Sequence, residues 1–317
     1  MEKKKLCIQN RLSYKIVGGV MEGEKNVDWM DDFCWEPHRK ILTPKESGIP
    51  ELRCFGLHTE NHAGQPLYPH YHEGCIELVF MLKGFQLYEV KGDTYNLSGH
   101  DVFVTYPGEL HSSASHPQSR SSFLWMQLDL SGDGTFLGLD ELSGKFLKSQ
   151  LISLPRVFGS DSKLEEGLTE TFFYLYSKDP LQRMMGQQGL IYYLLRTISL
   201  SQKLSLRRTE CIEQAIGYLY DHLYEPILLD DVAKHCALSL SQFKKRFQQE
   251  TGSTPRSFIN SLKIEEAKHL LCQGESITHV ALNLGFNTPN YFSSIFKRYT
   301  GMTPSEYLHR QKEKHHS

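Results

Sequence analysis

The carboxyl-terminal third of the chain repeats itself, and that repeat constrains the fold more than any other feature. Phe243-x3-Phe247-x3-Thr251-Gly252-x-Thr254-Pro255-x2-Phe258 recurs as Phe292-x3-Phe296-x3-Thr300-Gly301-x-Thr303-Pro304-x2-Tyr307, each residue 49 positions after its counterpart. Similarity at a fixed spacing means one supersecondary unit built twice. Upstream, Ala233 and Ala281 correspond with one residue of slippage, and such small side chains let two helices approach closely. Each unit reads as helix, tight turn, helix. In the second, Ser276 is a suitable N-cap, Gly285 can take a left-handed turn at no side-chain cost, Asn287 or Thr288 caps the next helix, and Pro289 fits its first turn. In the first, Asp230 and Asp231 favour a helix start, and Ser239 caps the helix that carries Phe243 and Phe247. Both units stop at Thr-Gly.

With the aromatic residues turned inward, Ser241, Gln242, Lys244, Lys245 and Gln248 remain outside on one helix, and Asn290, Ser293, Ser294 and Lys297 on the other. None is acidic. In a helix-turn-helix the second helix enters the major groove of DNA, where Lys meets phosphate or guanine and Asn or Gln reads adenine. The whole chain has 35 basic and 37 acidic residues, which excludes a polycation that coats nucleic acid in bulk. From Ser205 onward the balance is 14 basic to 12 acidic, so a small positive excess lies in the repeated part. A helical interaction module with solvated polar faces is the bland alternative; two acid-free copies in register weigh against it.

Gly285-Phe286, Tyr291-Phe292, Phe296-Lys297, Gly301-x-Thr303-Pro304 and Tyr307 resemble the signature of the AraC/XylS family of transcriptional regulators. The first unit and the connecting stretch Lys263-Ile264-Glu265-Glu266-Ala267-x2-Leu270-Leu271 resemble the rest of that domain, so the likeness spans about residues 209–308. It implies two recognition helices, held by a connecting helix, in successive major grooves, with Ser241, Lys244, Lys245, Asn290, Ser293 and Ser294 facing bases. There are departures. Ala237 stands where the second unit has Gly285, so a strain of about 1 kcal/mol or a different turn is expected. Arg246 occupies a position that is usually apolar, and Ser294 one where a longer, often basic, side chain is common.

At about 150 residues per domain, the 317 residues leave room for a second domain. The first half reads as short strands with Gly turns: Ile76–Leu82, a turn at Lys83-Gly84, Phe85–Val90, a turn at Lys91–Asp93, Thr94–Leu97, then Val102–Thr105. This spacing predicts an antiparallel barrel or sandwich. After about residue 160 the period becomes helical, with Leu164, Leu168, Phe172 and Leu175, then Leu190, Ile191, Leu194, Leu195 and Ile198, divided at Asp179-Pro180. The expectation is an α+β chain: a barrel over 1–160, a helical hairpin over 161–204 that covers the barrel or pairs with a second copy, a linker at 205–209, and an all-α double helix-turn-helix domain over 210–311.

The strand half contains Gly64-x5-His70-x-His72-x4-Glu77-x6-Gly84, and later Pro107-Gly108-x2-His111. Two His at i and i+2 share one side of a strand. This spacing resembles the motifs of the cupin barrel, although the second motif departs where Pro107 precedes Gly108 and Gly99 lies far off. Three readings follow: a metal-dependent cupin enzyme fused to a DNA-binding domain, a sensory pocket for a small molecule, or polar groups that only satisfy one another. The fusion favours the sensor, by resemblance, with His70, His72, Glu77, His111, Tyr106 and Trp125 lining the effector site; the same resemblance implies a carbohydrate effector. No catalysis and no cofactor are expected; His70, His72, Glu77 and His111 are the positions a metal would use.

Seven scattered cysteines, an odd number without C-x-x-C, suit reduced thiols. No run of about 18 apolar residues exists, and no signal-peptide core follows Lys3-Lys4-Lys5. The sequence thus predicts a cytoplasmic, non-membrane, effector-controlled regulator, an activator by resemblance, whose partners are promoter DNA, RNA polymerase and a second copy of itself.

Overall fold

A computed structural model describes residues 27–59, 67–113, 120–202 and 208–315. Gly64, Cys7, the basic start and most of the expected linker lie outside these residues. The chain runs through β1 (Val27–Asp28), β2 (Cys34–Trp35), β3 (Arg39–Leu42), α1 (Pro44–Ser47), β4 (Leu52–Thr59), β5 (His70–Tyr71), β6 (Cys75–Val90), β7 (Asp93–Ser98), β8 (Asp101–Thr105), β9 (His111–Ser112) and β10 (Ser121–Asp129). Then come α2 (Glu141–Ile152), β11 (Val157–Gly159), α3 (Ser162–Tyr176) and α4 (Pro180–Gln202). The remainder is helical: α5 (Glu210–Asp221), α6 (Leu229–His235), α7 (Leu240–Thr251), α8 (Pro255–Cys272), α9 (Ile277–Asn283), α10 (Pro289–Thr300) and α11 (Pro304–His315). Among the described residues, no helix is long and apolar enough to cross a membrane.

The strand half folds around β6, which pairs antiparallel with β10, β7, β8 and β9. Here the expected turn at Lys83-Gly84 is corrected. β6 is one strand of 16 residues that passes straight through, with Gly84 at φ +83. A Cβ there would meet the Arg120 carbonyl at 2.3 Å, so the glycine marks a close backbone approach rather than a reversal. The hairpin to β7 turns at Lys91 and Gly92, both with positive φ, within the second expected turn. All ladders are antiparallel except the short pairing of β1 with β5.

Alternation along the strands sorts side chains between two cores. Val79 and Met81 of β6 and Phe123 and Trp125 of β10 face an interior shared with Phe103, Tyr88 and Leu97. Leu78, Phe80, Leu124 and Met126 face the other way and are covered by α3 and α4 through Leu164, Leu168, Phe172, Leu190 and Leu194. The helical hairpin therefore roofs the barrel's outer face. Helix α2 was not legible in the sequence; three of its apolar residues, Leu142, Phe146 and Ile152, point to solvent and blur the pattern.

In the helical half, α5 to α7 pack around Phe243, Phe247 and Phe258, and α8 to α11 around Phe292, Phe296 and Tyr307. Ala233 and Ala281 are both buried at their helix crossings. The first unit also touches the barrel. Phe85 of β6 meets Phe258 at 4.8 Å, Gly99 lies against Gly252, and Arg208 pairs with buried Asp101 at 3.3 Å while donating to Ser98 Oγ. Beside this contact is a cleft of about 720 Å³ between α3, with Glu165, Glu166 and Glu170, and α7, with Lys245 and Gln248.

Candidate functional site

The two helices expected to meet DNA, α7 and α10, are set by their caps. Ser239 accepts from Gln242 N at the start of α7, and Gln242 Oε1 reaches back to Ser239 N at 3.1 Å, a complete capping box. Thr288 Oγ1 accepts from Tyr291 N at 3.1 Å at the start of α10, with Pro289 in its first turn, and Ser276 caps α9. Gly252 and Gly301 close α7 and α10 in the left-handed conformation.

Ser241, Gln242, Lys244, Lys245 and Gln248 are exposed on α7, and Asn290, Ser294 and Lys297 on α10, with Ser293 half-buried. Their side chains are not equally free. Gln242 is committed to the cap, Ser294 Oγ bonds back to the Asn290 carbonyl at 3.1 Å, and Lys245 and Gln248 line the cleft toward α3. Ser241, Lys244, Asn290 and Lys297 remain open. Arg298, exposed beside Lys297, was missed; the Lys-Arg pair in the last turn was the available signal.

The second site is a polar island at one end of the barrel interior. His70 and His72 flank Tyr71, His70 sits opposite His111 across the β5–β9 pair, and Glu77 projects from β6. All four are buried. Each ring is fixed through Nδ1 on a backbone carbonyl: His70 on Tyr68 at 2.7 Å, His72 on Trp29 at 3.0 Å, His111 on Glu109 at 3.0 Å. With Nδ1 donating, every neutral ring turns the lone pair of Nε2 toward the same centre. Glu77 forks between them, at 3.3 Å from His72 Nε2 and 3.2 Å from His111 Nε2.

Two neighbours come from strands opposite Glu77 in register, Gln127 on β10 and Thr105 on β8. Gln127 Nε2 donates to Glu77 at 3.0 Å. Gln127 Oε1 and Thr105 Oγ1 are buried without a hydrogen-bond partner. Charge is shared unevenly here. Burial works against the Glu77 carboxylate, yet His72 and His111 outweigh it and hold the group well below the ordinary range. His72 is raised because Glu77 prevails over its burial, whereas burial and then His111 push His70 down to about 3.

Three convergent Nε2 atoms and a carboxylate are also the donor set of a first-row divalent cation, and anchoring of the opposite ring nitrogen is what such ligands show. His70, His72, His111 and Glu77 would hold one. The two aromatic candidates separate. Trp125 faces the interior on the same side of β10 as Gln127, its Nε1 on Asp31 at 3.3 Å and Arg39 over its ring. Tyr106 is a correction: its hydroxyl donates to the Leu154 carbonyl at 2.6 Å and its ring packs with the outer core, away from the island.

Two family models match separate parts of the chain. A helix-turn-helix domain family matches residues 232–310, and the family described as an AraC-like ligand binding domain matches residues 57–146. The HTH-type transcriptional activator RhaS of Escherichia fergusonii is 27% identical over 256 residues, covering 76% of this chain and 88% of that protein. RhaS of Escherichia coli O139:H28 is 27% identical over 245 residues, covering 75% and 87%. Among solved structures, the DNA-binding domain of AdpA in complex with a target DNA is 24% identical over 33% of this chain and 96% of that one, with a TM-score of 0.32. ToxT from Vibrio cholerae is 13% identical over 80% and 97%, also with a TM-score of 0.32.

Proposed function

The chain belongs to the AraC family of DNA-binding transcription regulators, a ligand-binding domain joined to a helix-turn-helix domain, and on that premise we propose that it is an activator switched by a small polyhydroxylated molecule. The observation that carries the effector is the pair of buried polar atoms beside Glu77 that the protein leaves unsatisfied, Gln127 Oε1 and Thr105 Oγ1. Buried polar atoms without partners are costly, so they belong to a site completed from outside. A hydroxyl both donates and accepts, and several on one ring suit an island that offers imidazole acceptors, a carboxylate and an amide. A sugar has that chemistry.

Activation is extended from the RhaS relatives, whose names carry that role. It entails contact with RNA polymerase on promoter DNA, and therefore work in the cytoplasm. Homodimerisation fits the apolar side chains left outside: Leu142 and Phe146 on α2 and Tyr192 and Leu195 on α4, two helices that meet at Gln150 and Gln202. We divide the labour as barrel to residue 160, hairpin to 204, linker to 209 and DNA-binding domain beyond.

A thermal-shift screen of sugars tests the effector: a binder raises the melting temperature of the full chain, and His111→Ala loses that rise. No responsive sugar, or a rise retained in the variant, refutes the site. On DNA, Lys244→Ala with Lys245→Ala is expected to weaken binding and lower the salt slope by about 2. An unchanged slope removes α7 from the interface. Asn290→Ala is expected to change base preference instead.

A further inference from the structure

Two thiols of the first helix-turn-helix unit face each other away from both sites. Cys211 lies in the first turn of α5, and Cys236 is the C-cap of α6. The Cys236 thiol donates to the Cys211 carbonyl at 3.2 Å, and the Cys211 thiol reaches the Cys236 carbonyl at 3.7 Å. This reciprocal contact, each thiol on the other residue's backbone carbonyl, brings the two cysteines together across the packing of α5 on α6. Cys236 is buried, whereas Cys211 is only half-buried and open to a small reagent.

The unusual Arg246 belongs to the same place. Its counterpart in the second unit, Ile295, is buried core, but Arg246 Nε pairs with Glu250 at 2.9 Å, and its charge acts on both thiols. Glu250 in turn accepts from Thr209 N, the N-cap of α5, at 2.7 Å. One cation, one carboxylate and two thiols thus join α5, α6 and α7.

We propose that Cys211 and Cys236 are a peroxide-sensitive dithiol that closes to a disulfide and locks the seat of the first recognition helix. The Cys211 thiolate attacks a peroxide oxygen and becomes a sulfenic acid as hydroxide leaves and is protonated to water. The Cys236 thiol then attacks that sulfur; its proton leaves with the sulfenic hydroxyl as a second water. Two thiols and one hydrogen peroxide give one disulfide and two waters. Burial, then the bond to Cys211, push the Cys236 thiol up to about 12, which suits a thiol that reacts only with its neighbour. The bond ties positions 25 residues apart, and Ala237, next in the chain, holds the left-handed turn that aims α7.

The test treats the native full chain with a few equivalents of hydrogen peroxide, blocks remaining thiols, and maps peptides without reduction. The expected product is an intramolecular Cys211–Cys236 link, reversed by dithiothreitol and absent from Cys211→Ser and Cys236→Ser. Amide exchange across 229–251 is expected to slow on the order of ten-fold in the linked form. The proposal is overturned by a first product linked between chains through exposed Cys272, by Cys211 oxidised to sulfinic acid beside an unmodified Cys236, or by a link that leaves the exchange unchanged.

Discussion

His58 stacks on Phe123 inside the barrel at 4.7 Å, and its surroundings set a pH limit on the fold. Burial first, then the positive charge of Arg39, lower its pKa to about 4 from an ordinary 6.5. Between those values the unfolded chain takes a proton that the folded chain refuses. Stability is therefore unaffected above pH 6.5 and is lost as the pH falls toward 4, by roughly 2 kcal/mol at pH 5. The urea midpoint is expected to drop between pH 7.5 and 5, and His58→Leu to drop less relative to its own value at pH 7.5. An equal drop in the variant excludes His58 as the source. At this scale the sequence revealed residues that share a strand or a motif: His70, His72, Glu77 and His111. Gln127 and Thr105 were hidden because only the register of β10 and β8 against β6 sets them opposite Glu77.

Between helices, the two turns of the repeat offer a controlled comparison. Ala237 N bonds to the Lys234 carbonyl and Leu238 N to Ala233; Gly285 N bonds to Leu282 and Phe286 N to Ala281. The turns are built alike, with φ +52 at Ala237 and +66 at Gly285. The first unit thus keeps the left-handed turn and bears the strain of a Cβ. Ala237→Gly is expected to stabilise by about 1 kcal/mol, measured as a raised urea midpoint with an unchanged slope. Gly285→Ala is expected to destabilise by at least that much. Its Cβ would meet Lys263 Nζ at 3.2 Å and the Glu225 carbonyl at 3.3 Å, and Lys263 is the buried cation that donates to the Leu284 carbonyl at the end of α9. No gain in Ala237→Gly would mean that the turn relaxes around its alanine at no cost. The caps and turns of this half were legible because a helix end is governed by local chemistry: Ser239, Ser276, Thr288, Gly252 and Gly301 all act where the sequence put them. The strand half was less so. Gly84 looks like a turn residue yet serves a close approach within β6, since a glycine reads the same whether its backbone must reverse or be approached.

For the whole molecule, the question is how an event in the barrel reaches DNA, and the contact of Gly99 with Gly252 supplies a path. The β7–β8 turn of the barrel rests on the C-cap of α7, so the sensor leans on the end of a recognition helix. Phe85 on Phe258 and Arg208 on Asp101 tie the same bodies, whereas the second unit is joined to them through α8. A ligand shifts such an equilibrium only as far as its affinity differs between the docked and released arrangements. Gly99 needs no positive φ, so Gly99→Ala leaves its own backbone unstrained; its Cβ, however, would meet Gly252 Cα at 2.6 Å and the Thr251 carbonyl at 2.7 Å. Because those atoms are backbone, neither side can yield by turning a side chain. The variant is expected to fold in both halves but to undock them. Calorimetry then resolves a separate melting step for the helical half, and DNA affinity no longer responds to an effector that the barrel still binds. Released from the acidic stripe of Glu165, Glu166 and Glu170 across the cleft, Lys245 meets phosphate more readily, so affinity without effector rises. One cooperative transition with the response intact would show that the signal travels by another route, through Phe85 on Phe258 or through Arg208 and Thr209 into α5.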